Sequence, residues 1–182
     1  MKRIILWLMQ TRLYSWLMTD VVPFVRFTLY YTSFPGRLYH LGYAVLQPGD
    51  FILTVDKKKL TSLLIPGVWS HAAFCVSKDG KWEVSEMTHE NYKKSCFFDL
   101  CKEADRVAIF RFEGVSDWEK LGMVLKCKSF DGAMYDQKFD LGVKALYCSE
   151  LVWQSDFKGF GKFDLTDLAG LGRQYISPDG LA

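Results

Sequence analysis

The stretch HAAFCVSKDGKWEVSEMT, residues 71–88, decides the fold, because its pattern predicts two strands joined by a tight turn. Apolar residues alternate with polar ones on both sides of Asp79-Gly80. An Asp-Gly pair between two such runs is a strong short-range signal for a β-hairpin. The sequence therefore predicts an antiparallel hairpin at this position.

The turn also predicts the register of the hairpin. If Asp79 and Gly80 are its two central residues, Lys78 lies opposite Lys81. Counting back along both strands places Ala73 opposite Glu86 and His71 opposite Thr88. Because a one-residue slip moves every side chain to the other face, this register is a testable expectation.

Alternation along the two strands then separates the carboxylates near His71. Glu86 falls on the same face as His71 and is its diagonal neighbour, roughly 7–8 Å away by backbone position. Glu83 falls on the opposite face. Of these two residues, only Glu86 is placed to hold the His71 ring.

The remainder of the chain predicts further strands and then helices. Phe51–Val55 and Val107–Phe112 have the composition of strands. Ser116 and Glu119 form a capping box at the start of a helix that runs to about Phe130. Strands followed by helices indicate an α+β domain.

Cys148 opens another predicted helix, YCSELVWQ, residues 147–154. A thiol at a helix N-terminus lies at the positive end of the helix dipole, which favours the thiolate. With His71 as base and Glu86 to orient the ring, Cys148 completes an activated-nucleophile set. We expect the thiolate to attack an acyl carbon while backbone N–H groups of this helix hold the oxyanion. Tyr147 and Tyr135 are the weaker side-chain candidates for that role.

Composition narrows the function classes. The chain has 182 residues, most simply one domain, and a net charge of +2, which does not indicate nucleic-acid binding. Five cysteines, an odd number without a tight framework, indicate reduced thiols and an intracellular, cytoplasmic setting. With three histidines and no Cys-x-x-Cys pair, we expect no zinc site and no cofactor.

Residues 2–20 predict an apolar helix with a thin polar stripe. The apolar run at its start is broken at Gln10, so it is neither a signal peptide nor a membrane-spanning segment. Two interpretations stay open. The helix packs against the domain, or it lies in a membrane interface. Its tryptophans and arginines suit the second: Trp7, Trp16, Arg3 and Arg12.

Several motifs in order resemble the circularly permuted NlpC-type branch of papain-like enzymes. They are Gln47-Pro48-Gly49-Asp50, Trp69-Ser70-His71, Val84-Ser85-Glu86, Tyr135-Asp136-x-x-Phe139, Tyr147-Cys148-Ser149-Glu150-Leu151-Val152 and the closing Tyr175-Ile176-Ser177-Pro178-Asp179-Gly180-Leu181. In that branch the histidine and acidic residue precede the cysteine, as they do here. The resemblance implies a catalytic domain over residues 46–182, built as a small antiparallel β-barrel or sheet packed against helices, after a helical extension over residues 1–45.

The resemblance implies a Cys148-His71-Glu86 triad and leaves three function classes. The first is a thiol peptidase or amidase acting on a peptide or on peptidoglycan stem peptides. The second is an acyl hydrolase or acyltransferase acting on lipids, which fits the amphipathic N-terminus. The third is a non-catalytic binding or virion module on the same fold.

Overall fold

The computed structural model describes residues 7, 9–22, 25, 36–59, 62, 65, 67–142, 144–167 and 172–182. Its centre is a five-stranded antiparallel sheet with the order β4-β3-β2-β1-β5. The strands are β1 Phe51–Val55, β2 His71–Asp79, β3 Lys81–Thr88, β4 Asn91–Cys96 and β5 Arg106–Phe110. Every residue of β1 is buried, because β1 lies inside the sheet and both of its faces are covered.

Five α-helices lie among the described residues. They are α1 Arg12–Trp16, which continues as one π-helical turn Leu17–Val21, α2 Gly36–Val45, α3 Phe97–Glu103, α4 Asp117–Lys128 and α5 Cys148–Ser155. The short strands β6 Met134–Tyr135 and β7 Ala145–Leu146 pair in parallel. Strands β8 Leu165–Asp167 and β9 Gln174–Ile176 form an antiparallel pair, and a 3-10 turn covers Asp179–Leu181.

The sheet separates two apolar cores. On one face, α4 and α5 pack against β2, and Phe74 and Leu151 are fully buried between them. On the other face, α3 packs against β3 and β4, and Phe97 meets Ala73 and Cys75. The predicted α+β class is confirmed. Of the two forms expected, barrel or sheet, the described residues form an open sheet whose edges are β4 and β5.

The hairpin forms, but its turn differs from the prediction. Asp79 pairs with Lys81 around Gly80, and Lys78 therefore pairs with Trp82, so the predicted pairing of Lys78 with Lys81 is wrong. The Lys78 ammonium lies 4.7 Å from the centre of the Trp82 ring, a contact that favours the observed pairing.

The observed turn shifts the pairing near it by one residue from the prediction. A β-bulge between Cys75 and Ser77 reverses this shift. Beyond the bulge, Ala73 lies opposite Glu86, as predicted. The face assignment of Glu86 is therefore confirmed although the turn was placed one residue away.

The capping box is confirmed. The Ser116 hydroxyl accepts a hydrogen bond from the Glu119 N–H, and a Glu119 oxygen accepts from the Ser116 N–H at 2.9 Å. Helix α4 ends at Lys128, two residues before the predicted end near Phe130.

The last predicted strand ends earlier than expected, at Phe110. The next residue, Arg111, leaves the sheet and binds both carboxylate oxygens of the buried Asp50, at 2.7 and 2.8 Å. This ion pair also fixes the turn before β1, because Asp50 accepts a hydrogen bond from the Gln47 N–H.

The helix predicted over residues 2–20 is confirmed from Arg12 onward, but it is interrupted before that residue. Residues 9–11 form a turn, and the Thr11 hydroxyl accepts a hydrogen bond from the Tyr14 N–H at 3.1 Å, which starts a new helix at Arg12. Residues 1–6 and 8 lie outside the described residues. Within the part of the chain that is described, no helix has the length and apolar character needed to cross a membrane.

The division at residue 45 stays a prediction. Helix α2 precedes that point in sequence but contacts the sheet directly, since the Trp82 indole N–H donates to the Tyr43 carbonyl at 2.8 Å. The Tyr43 hydroxyl donates in turn to the Gly80 carbonyl.

The C-terminal turn holds the segment that leads into β2. The Asp179 carboxylate accepts hydrogen bonds from the Val68 N–H at 2.8 Å and from the Trp69 N–H at 2.7 Å. Gly67 makes this approach possible, because its φ is +120° and a Cβ there would lie 2.0 Å from an Asp179 oxygen. Asp179 thereby sets the path of the chain just before His71.

We expect Gly67→Ala to lower the free energy of unfolding by about 1–3 kcal/mol, since it adds both backbone strain and a clash with Asp179. Urea denaturation measures the change. Gly36→Ala is the control, because nothing lies within 4 Å of the added methyl group there. Equal stability of the two variants would contradict this role for Gly67.

Candidate active site

Cys148 is the first residue of α5, and both of its neighbours anchor the helix start to β9. The Tyr147 hydroxyl accepts a hydrogen bond from the Ile176 N–H at 2.9 Å, and the Ser149 hydroxyl donates to the Ile176 carbonyl at 2.7 Å. The Cys148 side chain itself is 4% exposed. The sulfur is therefore held in a defined place by contacts on either side of it.

His71 is the first residue of β2, the strand against which α5 packs. Its Nε2 lies 2.7 Å from Oε2 of Glu86. The Cys148 thiol is near enough to the imidazole to raise the pKa of His71. With Nε2 engaged by Glu86, Nδ1 is the nitrogen left for the sulfur. The His71 side chain is 25% exposed, so solvent reaches the pair from the imidazole side.

Glu86 lies opposite Ala73 on β3 and is 8% exposed. Its second oxygen accepts a hydrogen bond from the Ser95 hydroxyl on β4. Burial alone would raise the pKa of Glu86, but the hydrogen bond and charge of His71 outweigh it, with a further contribution from Ser95, and the pKa falls to about 2. Glu86 therefore stays ionised and fixes the orientation of the ring.

Ser95 is a site residue that the sequence analysis missed. It lies on β4, a strand whose sequence, NYKKSC, lacks a clean apolar alternation. The available signal is the Thr88–Asn91 turn, which would have predicted a second hairpin and placed Ser95 beside Glu86 on the sheet.

Cys148 and His71 favour each other's charged form. Burial raises the pKa of the Cys148 thiol, but the hydrogen bond and charge of His71, with the backbone N–H groups of Ala72 and Ser149, outweigh burial and lower it. Burial likewise lowers the pKa of His71, but Cys148 and Glu86 outweigh it and raise the pKa to about 10. The arrangement therefore favours a thiolate–imidazolium pair with a carboxylate beside the imidazole.

The two tyrosine candidates occupy different positions. Tyr147 is 1% exposed, and its hydroxyl is engaged with the Ile176 backbone. Tyr135 is partly exposed, and burial, followed by the charge of Cys148, raises its pKa well above the ordinary value. The Asn91 side chain, which accepts from the Tyr135 N–H at 3.0 Å, holds Tyr135 in place.

A second buried carboxylate, Glu150, lies in the first turn of α5. Its side chain accepts a hydrogen bond from the Gly142 N–H at 2.7 Å and so ties the β6–β7 loop to α5. Burial, only partly opposed by that hydrogen bond, raises the pKa of Glu150 to about 7, and the nearby Asp136 adds to the effect.

Among the described residues, no group of three or more His, Cys, Asp or Glu side chains is arranged to hold a metal ion. All five cysteines are free thiols. Burial raises the pKa values of Cys75, Cys101 and Cys127 to about 12, in contrast to Cys148.

Comparison with protein families identifies the group to which this chain belongs. Residues 45–174 match the model of the permuted papain-like amidase family, YaeF/YiiX, C92. The chain belongs to this family. Membership confirms the predicted permuted papain-like fold and supports a cysteine hydrolase of the peptidase or amidase type.

A solved structure shares the fold of this family member. The chain is similar to the crystal structure of metalloprotein YiiX from Escherichia coli O157:H7, with a TM-score of 0.61 and 21% identity. The alignment covers 74% of this chain and 91% of that one. At this level of identity the likeness shows the fold alone. A search of curated proteins finds no match.

We expect Cys148 to react with iodoacetamide at a rate that is already near its plateau around neutral pH, because its pKa is lowered. His71→Ala should shift the rate profile toward that of an ordinary thiol, with a midpoint of about 8.5. Labelling sites are identified by peptide mass spectrometry, with Cys148→Ala as the blank. A wild-type midpoint at or above that of an ordinary thiol would contradict the ion pair.

Glu150 predicts a pH dependence of stability. The pKa of Glu150 is about 7 in the folded chain, against 4.5 for an ordinary glutamate. The folded chain therefore binds the Glu150 proton more tightly than the unfolded chain does. The contribution of this proton to the free energy of unfolding is full below pH 4.5 and is lost as the pH rises from there through 7. We expect Glu150→Gln to reduce the loss of stability between pH 5 and 8 by up to about 3 kcal/mol. Urea titrations across that range measure it.

Glu83→Gln is the control for this comparison, because the Glu83 side chain is 39% exposed. It should follow the wild-type pH profile. If Glu150→Gln also keeps the wild-type profile, the buried carboxylate is not the source of the pH dependence.

Proposed function

We propose that this chain is a thiol hydrolase that cleaves an amide through an acyl-enzyme, with Cys148 as nucleophile, His71 as general base and acid, and Glu86 as orienting carboxylate. The observation that carries the proposal is the 2.7 Å contact between His71 Nε2 and Glu86 Oε2, together with the interaction of His71 with Cys148 that lowers the pKa of the thiol. Family membership supports the same reaction class.

The proposed reaction starts from the ion pair. The Cys148 thiolate forms a bond to the carbonyl carbon, and the carbonyl π electrons move onto oxygen. When the tetrahedral intermediate collapses, the C–N bond breaks and the His71 imidazolium gives its Nδ1 proton to the departing amine. The products of this half are a free amine and a thioester on Cys148.

Water completes the cycle. Neutral His71 takes a proton from water as the oxygen attacks the thioester carbon, and the C–S bond breaks. The acid product leaves, and Cys148 and His71 return to their charged forms. Glu86 remains ionised throughout, because its low pKa keeps it a hydrogen-bond acceptor for Nε2.

For the oxyanion we propose the backbone N–H groups at the start of α5 together with the Tyr135 hydroxyl. Tyr135 is favoured over Tyr147 because the Tyr147 hydroxyl is engaged with Ile176 in the buried core. The raised pKa of Tyr135 keeps its phenol protonated and able to donate.

The substrate class we propose first is a peptide amide, including the stem peptides of peptidoglycan. The second candidate is the acyl group of a lipid, favoured by the exposed apolar side chains of α1, since Leu13 is 69% and Trp16 54% exposed. Incubation with peptidoglycan fragments and with phospholipids, followed by mass spectrometry, separates the two. A new free amine with a matching free acid supports the first, and a released fatty acid or an acylated acceptor supports the second.

We expect His71→Ala to abolish acylation of Cys148 and Glu86→Gln to lower its rate by about 10²-fold or more, because the ring loses its orienting charge. Glu83→Gln, on the other face of the sheet, should change the rate less than about twofold. An acyl-type activity probe read by intact mass measures all three.

Two outcomes would contradict the proposal. Equal effects of Glu86→Gln and Glu83→Gln would overturn the assignment of the orienting carboxylate. If wild-type Cys148 takes no probe at neutral pH while circular dichroism shows a folded chain, the protein is instead a non-catalytic binding module on this fold.

A further inference from the structure

Strand β4 brings the Ser95 hydroxyl to the carboxylate beside His71. Ser95 lies opposite Val84 in the β3–β4 register, and Val84 comes two residues before Glu86 on β3. Because side chains two residues apart on a strand share a face, Val84, Glu86 and Ser95 all lie on one face of the sheet. Ser95 and Glu86 are therefore diagonal neighbours, and the Ser95 hydroxyl donates a hydrogen bond to Oε1 of Glu86.

Both oxygens of the Glu86 carboxylate are thereby occupied. Oε2 lies 2.7 Å from Nε2 of His71 on β2, and Oε1 accepts from Ser95 on β4. The terminal torsion of a glutamate side chain is otherwise soft and allows a wide range of angles. With its oxygens bonded to the two strands that flank β3, the carboxylate cannot turn without breaking one of these bonds. The Glu86 side chain is 11% exposed, so little water is available to replace a lost partner.

The other β4 residue near Glu86 has a different effect. Lys93 lies directly opposite Glu86 in the register, but its side chain is 49% exposed and its ammonium lies 3.2 Å from a Glu90 oxygen. Burial raises the pKa of the Glu86 carboxyl, but His71, the Ser95 hydrogen bond and the charge of Lys93 lower it. Lys93 therefore helps to keep the carboxylate ionised, whereas Ser95 adds a bond with a defined direction.

The same hairpin contains a second serine–glutamate pair that is not connected to the imidazole. The Ser77 hydroxyl donates to Oε1 of Glu83 at 3.4 Å, and the Glu83 side chain is 39% exposed. Glu83 lies three residues before Glu86 on β3 and therefore on the other face of the sheet. Ser95 differs from Ser77 because the glutamate that it holds also bonds His71 through its second oxygen.

We propose that Ser95 is a positioning residue of the candidate active site, whose hydroxyl fixes the Glu86 carboxylate so that Oε2 stays directed at Nε2 of His71. Ser95 touches no reacting atom and acts on Cys148 only through these two side chains. Its effect on the reaction rests on the proposed function. Its effect on the orientation of the ring does not.

A double-mutant cycle separates this role from a general effect on the fold. Ser95→Ala should lower the rate at which an acyl-type activity probe acylates Cys148 by about tenfold, because a loosely held carboxylate orients the ring poorly. In a Glu86→Ala background, no carboxylate remains for Ser95 to hold. The same substitution should then change the residual rate less than about twofold. An equal loss in both backgrounds would overturn the proposal.

Ser95→Thr and Ser77→Ala are the matched controls. Threonine keeps the hydroxyl and suits a strand, so Ser95→Thr should react within about threefold of the wild type. Ser77→Ala removes a serine–glutamate hydrogen bond from the same hairpin and should change the rate less than about twofold. If either control is as slow as Ser95→Ala, the Ser95 hydroxyl does not have the role proposed for it.

Proton NMR follows the His71 ring without any reaction. The chain has three histidines, so the signal of the Nε2 proton can be assigned by its loss in His71→Ala. We expect this proton to exchange with water at least about fivefold faster in Ser95→Ala than in the wild type and in Ser95→Thr. An unchanged exchange rate in Ser95→Ala would also overturn the proposal. If the wild type takes no acyl probe, the proposed function fails, and the exchange rate still decides the role of Ser95.

Discussion

The packing of α5 against β2 is the constraint on which the site depends, because it brings together two chain positions that are far apart in sequence. Cys148 begins the helix and His71 begins the strand, so each side chain lies at the end of its element, where backbone groups are still free to contact it. The Ala72 and Ser149 N–H groups accordingly help to lower the pKa of the Cys148 thiol. A change that slides α5 along β2 by one residue would separate the sulfur from both the ring and these donors.

The C-terminal segment explains how this packing is kept in place. The Ile176 backbone on β9 is hydrogen-bonded to both residues that flank Cys148, while Asp179, three residues later, holds the backbone that leads into His71. One short stretch therefore positions the nucleophile and the base together. Because only a few residues separate the two sets of contacts, the starts of α5 and β2 are held at a fixed distance from each other.

Local features of this fold, such as the hairpin, could be predicted from the sequence, whereas contacts between distant elements could not. The Asp79-Gly80 pair predicted the hairpin and placed Glu86 on the face of His71. The predicted pairing of Ala73 with Glu86 holds only because the bulge between Cys75 and Ser77 offsets the misplaced turn. The apolar periodicity of a strand does not predict a bulge, because a bulge depends on strand twist and on contacts such as that of Lys78 with Trp82. Asp179 could not be predicted for a related reason, because it acts through a contact with a distant segment, which spacing along one element does not encode. Ser95 was missed because the turn that pairs its strand with β3 was not recognised.

Two glutamates near the site show that the surroundings of a buried carboxylate determine its charge. Burial acts to raise the pKa of both Glu86 and Glu150. Glu86 faces the His71 imidazolium and the Ser95 hydroxyl, so its pKa falls to about 2, whereas Glu150 has the Gly142 N–H and a like charge on Asp136 nearby, so its pKa rises to about 7. His71 on β2 thus keeps Glu86 on β3 ionised, whereas Glu150 on α5 has no cation beside it among the described residues and its pKa is raised. The first carboxylate serves the chemistry proposed for Cys148, and the second accepts the hydrogen bond that ties the loop after Tyr135 to α5.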